Sequence, residues 1–121
     1  MNLIERWAQS QDLGPVSNPR RFAVNIDQAR IHLLELHPGQ CVIESRICEL
    51  PVAPGQQEKM LLRALHISLA RARDSASQLV VDDDASSFWL QRRLQPGAGL
   101  EELDSNIEEL VNDIELWRTA L

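Results

Sequence analysis

The stretch Leu79–Leu94, LVVDDDASSFWLQRRL, limits the possible folds more than any other part of the chain. Leu79, Val80 and Val81 favour extended backbone, three acids stop the run, and Ala85, Ser86 and Ser87 leave room to reverse. Phe88, Trp89 and Leu90 carry the chain back, and Arg92 and Arg93 precede Leu94 at its end. Apolar runs bounded by Asp and Ser clusters predict a β-hairpin. A lone hairpin is marginal in water, so it needs further strands or a helix against it. Helical patterns precede and follow it, and the hairpin is expected to be the floor on which both pack.

Asn2–Leu13 reads as a short helix, with Leu3, Ile4, Trp7 and Ala8 recurring on one face until Gly14-Pro15 ends it. Trp7 either docks this helix on a sheet or lines a groove for a partner. From Arg21 to Leu50 the period becomes two. Phe22, Val24 and Ile26 form one run, Ile31, Leu33 and the stretch to Leu36 a second, and Val42 to Leu50 a third, with a turn at His37–Gln40. Short turns between such runs predict an antiparallel meander. Pro51–Gly55 reads as a stiff connection before a helix over Glu58–Arg73. There Leu61, Leu65, Leu69 and Ala72 form one stripe, which Leu62 and Ile67 widen beyond a one-sided face. A band that wide reaches both the sheet of its own chain and a second subunit. After Pro96–Gly99 a last helix starts near Leu100, and Ser105 with Glu108 offers a cap for a slightly later start. Leu103, Ile107, Leu110, Val111, Ile114, Trp117 and Leu121 recur along it at helical spacing, the strongest periodicity in the sequence. The expectation is one α+β domain over residues 1–121, ordered α-β-β-β-α-β-β-α, a twisted antiparallel sheet flanked by helices.

Charge and motifs narrow the function. A formal net charge of −6, a single lysine (Lys59) and no basic run longer than two argue against a nucleic-acid partner. The charge is also lopsided: residues 1–78 carry nine basic and eight acidic side chains, residues 79–121 three and ten. Glu5 and Arg6 interrupt any signal peptide, and Arg63 and His66 interrupt the most apolar stretch, so a cytosolic chain with no membrane partner is expected. Cys41 and Cys48, seven apart on one strand, are expected to face opposite sides as reduced thiols. Asp82-Asp83-Asp84 lacks the spacing of a calcium loop and reads as a solvated turn. His32, His37 and His66 have no ligand at metal spacing, and His66 reads as an interior or interface group. With no phosphate loop and no nucleophile motif, neither catalysis, a metal nor a cofactor is expected. A binding module and a regulator that sequesters another protein remain.

The element order resembles that of the class I type III secretion chaperones, the Tir chaperone (CesT-like) family. The resemblance is best from Met60 to Leu121, where MLLRALHISLARA leads into LVVDDDASSFWLQRRL and then GLEELDSNIEELVNDIELWRTAL. Within the family the chain looks most like the YscB-type members, which pair with a second chaperone to bind the secretion gatekeeper. Residues 1–57 match in element order and size.

The resemblance implies a non-enzymatic cytosolic dimer from a Gram-negative bacterium. Such a dimer holds the N-terminal chaperone-binding segment of a secreted effector or gatekeeper in an extended state, adding a strand to a sheet edge and seating apolar side chains in grooves. Carried onto this chain, Leu61, Leu65, Leu69 and Trp89 would build the subunit contact, and Leu3, Trp7, Phe22, Val24 and Ile26 would meet the partner. The dimer, homotypic or with a second chaperone, would bury more than roughly 1,000 Å² in total. The alternative is a chaperone-like regulator of secretion genes that sequesters another chaperone or a transcription activator.

Overall fold

The period-two stretch becomes three strands. In the computed structural model, which describes residues 1–121, helix α1 (Leu3–Ser10) precedes β1 (Arg21–Ile26), β2 (Ala29–His37) and β3 (Gln40–Glu49). Helix α2 (Pro54–Arg71), the hairpin β4 (Gln78–Val81) and β5 (Ser87–Arg93), and helix α3 (Leu100–Ala120) follow. The strands form one antiparallel sheet in the order β1-β2-β3-β5-β4, so β1 and β4 are its edges. Boundaries differ from the sequence reading at two helices. The short helix stops at Ser10, and α2 starts four residues early because Pro54 occupies its first turn, where a fixed φ and a missing N–H cost nothing. The last helix starts at Leu100 behind Gly99, as expected, and the later start offered by Ser105 is not used.

One face of the sheet carries the core. Ile31, Leu33, Ile43, Phe88 and Leu90 meet Leu103, Ile107, Leu110, Ile114 and Trp117 of α3, all buried. Helix α3 crosses β2, β3 and β5, and α2 packs on β4, so each of the two helices meets one strand of the hairpin, as expected, while α3 also spans the neighbouring strands. All three helices belong to this one core, and the other face, with Ala23, His32, Glu44, Trp89 and Gln91, carries none. Arg92 is buried on the core face, where Nη1 meets Glu109 Oε2 of α3 at 2.6 Å.

A bulge between Arg46 and Cys48 overturns the expected placement of the cysteines. The extra residue shifts parity, so Cys48 pairs with Phe88, packs against the core and lies beside Arg118 of α3. Both thiols are free and on the same side. Burial pushes the Cys41 thiol up to about 11, with the Glu35 carboxylate acting in the same direction. Neither position favours a reactive thiolate.

Non-glycine residues enter the left-handed region at Asp12 (φ 55°), just past α1, and in two hairpin turns. Asp27 (φ 48°) and Gln28 (φ 67°) close the β1–β2 hairpin, and Ala85 (φ 56°) sits in the β4–β5 loop. The first turn tolerates this because two positive φ angles match the twist of the flanking strands. Gln28→Gly is expected to raise the free energy of unfolding by about 0.5–1 kcal/mol in urea titrations, since glycine occupies that region without strain.

Asp82 organises the second turn. Its carboxylate accepts from the Ser86 and Ser87 amides (2.8 and 3.0 Å), the Ser86 hydroxyl (3.1 Å) and Trp89 Nε1 (3.3 Å). Desolvation raises its pKa, but those hydrogen bonds, led by the Ser87 and Ser86 amides, outweigh it and hold the carboxyl down at about 2. The triple-acid turn is thus tied chiefly by the Asp82 carboxylate, with Asp84 Oδ1 accepting from the Ser86 amide as well (3.2 Å). A folded-state pKa below the unfolded value of about 3.9 makes this contribution complete above that pH and lost as pH falls toward the folded value. The gap in Tm between the native chain and Asp82→Ala is therefore expected to narrow as the pH drops from about 4 to about 2.

Candidate partner-binding surfaces

The first surface is built by α1, β1 and α3. Asn2 caps α1 reciprocally: its Oδ1 accepts from the Glu5 amide at 2.9 Å, and Glu5 Oε1 accepts from the Asn2 amide at 3.1 Å. Asn2 Nδ2 also donates to the Pro19 carbonyl at 2.6 Å, which ties the helix start to the segment entering β1. Trp7, buried at 3% exposure, donates from Nε1 to Asp104 Oδ1 of α3 at 3.3 Å. These ties leave a groove of about 490 Å³ beside the β1 edge. Its apolar lining is Trp7, Leu13, Val24, Ile26, Ile107 and Val111.

The β1 edge is open. The Glu35 amide donates to the Arg20 carbonyl at 2.9 Å, which makes residues 20 and 35 a hydrogen-bonded pair. By the antiparallel alternation, residues 22, 24 and 26 also bond to β2, while Ala23 and Asn25 direct their amides and carbonyls away from it. An extended chain finds there both a ladder to join and an apolar floor beside it.

The second surface is α2. Only Ala64 is buried on this helix, with Met60 and Ile67 packed beside it, so these residues form the side that meets its own chain. Leu61, Leu65 and Leu69 lie 40%, 53% and 67% exposed, and Leu62 is exposed with them. His66 is exposed on the same helix, which removes the interior placement and keeps the interface one. The last turn is fixed by Asp113 of α3, which meets Arg71 Nη2 (3.1 Å), Ser75 Oγ (3.0 Å) and Ser77 Oγ (2.6 Å).

Of the residues anticipated for partner contact, Trp7, Val24 and Ile26 line the groove, and Leu3 and Phe22 pack at the core margin. Trp89 is half-buried on the helix-free face, edge-on to His32 with ring centroids 5.5 Å apart. Burial lowers the His32 pKa, against the opposite pull of Glu44. Sequence reasoning missed Leu13, Asp27, Asp104 and Glu108 as groove residues, because only the strand order makes β1 an edge. No three His, Cys, Asp or Glu side chains come together as a metal site, and no helix is long and apolar enough to cross a membrane.

Comparison with known proteins gives the same architecture. The profile of the Tir chaperone protein (CesT) family matches residues 3–118. No curated protein matches the chain in sequence. The fold superposes on a chain of the ExsC–ExsE complex with TM-score 0.73 at 15% identity, over 97% of this chain and 89% of that one. It superposes on a chain of the heterodimeric ExoU–SpcU complex from the type III secretion system of Pseudomonas aeruginosa with TM-score 0.72 at 16% identity, over 98% and 97%. For the Yersinia pestis type III secretion chaperone SycH in complex with a stable fragment of YscM2, the TM-score is 0.67 at 21% identity, over 94% and 95%. With its strand order, helix placement and a profile match from Leu3 to Arg118, the chain belongs to the Tir chaperone protein (CesT) family.

Proposed function

We propose that this chain is a cytosolic type III secretion chaperone of a Gram-negative bacterium, which binds the N-terminal segment of a secreted effector or gatekeeper and keeps it competent for export. The observation that carries this reading is the open edge of β1 beside an apolar groove. Such a site holds a chain that has not yet folded: the ladder takes any extended backbone, and the groove selects apolar side chains. Leu3, Trp7, Phe22, Val24 and Ile26 form this binding region, Leu3 and Phe22 at its margin. The uncovered leucines of α2, Leu61, Leu65 and Leu69, together with Trp89, form the contact to a second subunit, identical or a second chaperone. Family and fold are those of chaperones. The complexes named above, each a complex of this fold with another protein, support a protein partner. The likeness to YscB-type members rests on the sequence resemblance alone.

The test is to tag the chain in its native bacterium and identify what co-purifies. A secreted protein held through its N-terminal segment is the expected result. A transcription activator, or another chaperone without any export substrate, would instead favour the regulatory alternative.

A further inference from the structure

The groove beside β1 has a charge as well as an apolar floor. Asp27, Asp104 and Glu108 line it, and no lysine, arginine or histidine does. Asp27 and Glu108 are exposed, and Asp104, which takes the Trp7 indole proton, is exposed too. Arg21 opens β1, and Arg30, cross-strand from Asn25, points its Nη1 at Asn25 Oδ1 (3.3 Å); neither guanidinium lines the groove. The Val24, Ile26, Ile107 and Val111 side chains therefore lie under an acidic rim without an internal counter-charge.

We infer that the groove selects an extended partner segment in which a basic residue stands two or four positions from an apolar anchor, both on one side of a strand added to β1. This deepens the chaperone reading and rests on it. Side chains two apart on a strand share a face, so an anchor on the Val24–Val111 floor places the next same-face residue along the groove, within reach of its rim. A cation there is attracted to the carboxylates, whereas an acid is repelled by the same three. An acidic segment of equal hydrophobicity is thus rejected, and selection between partners comes from charge while burial supplies the hold.

The test uses two synthetic peptides with the same alternating valine–threonine pattern, one with arginine and one with glutamate at two same-face positions, followed by fluorescence anisotropy. The arginine peptide is expected to bind about tenfold more tightly at low ionic strength, and high salt is expected to shrink the difference. Asp27→Lys with Glu108→Lys is expected to reverse the preference. Equal binding, no binding of either peptide at millimolar concentration, or a preference that survives the double substitution would overturn the inference. Self-association of the chain through its own β1, abolished by Ala23→Pro, would also overturn it by giving the edge to a second copy. If the charge preference fails while a secreted protein still co-purifies, the chaperone reading survives alone. If no secreted protein co-purifies while the preference holds, that reading fails and the groove keeps its selectivity.

Discussion

Leu65→Asp is expected to leave the subunit folded and to raise the dissociation constant of the dimer at least about 100-fold, as read by analytical ultracentrifugation. The two halves of this result have separate causes. Leu65 is 53% exposed within its own chain, so replacing it removes little intrachain packing, and the unfolding free energy should move by no more than about 0.5 kcal/mol. In the proposed dimer the same position lies in an apolar seam. Burying an unpaired carboxylate there costs several kcal/mol, and each 1.4 kcal/mol is a factor of ten. Ala64→Asp, one residue earlier, is the contrasting case. Ala64 is buried against its own core, so that substitution should unfold the subunit instead of separating two. Unchanged association of Leu65→Asp would remove α2 from the subunit contact.

The second large effect concerns the edge of the sheet. Ala23→Pro is expected to reduce capture of the secreted segment tenfold or more in a pull-down titration, with only a small change in stability. Residue 23 sends its amide away from β2, so proline there takes no bond from the existing ladder. It does take one from any added strand, and its ring crowds that strand as well. Val24→Pro supplies the control, because the amide of Val24 faces Ile31 and its loss breaks the sheet itself. Capture that survives Ala23→Pro would mean that the partner uses the groove without joining the ladder.

Why some of this was legible in the sequence and some was not follows from what periodicity records. The β4–β5 hairpin, the meander and α3 were readable because each buries one face against one neighbour, and the apolar spacing reports that face. Helix α2 was readable as a helix but not in its orientation. A band of Leu61, Leu65, Leu69 and Ala72 widened by Leu62 and Ile67 does not say which side meets its own sheet, and the structure turns inward Ala64, a residue outside that band, with Met60 and Ile67 beside it. Arg92 reads only as part of the hairpin's end, and alternation on β5 places it under α3. The bulge at Arg46–Cys48 inverted the facing of one cysteine, since an inserted residue leaves no compositional mark. Asp104 and Glu108 read as the wet side of α3, and only the strand order, with β1 outermost, makes them walls of a groove.

Asp113 holds the last turn of α2 while the leucines further up that helix stay uncovered. A solitary subunit is therefore well formed yet ill suited to remain solitary, because water must line a row of hydrocarbon for as long as nothing else does. In the proposed pairing a second subunit covers that row, so chain made in excess of its counterpart is expected to clump or be proteolysed, and its level to follow the number of pairs that can form.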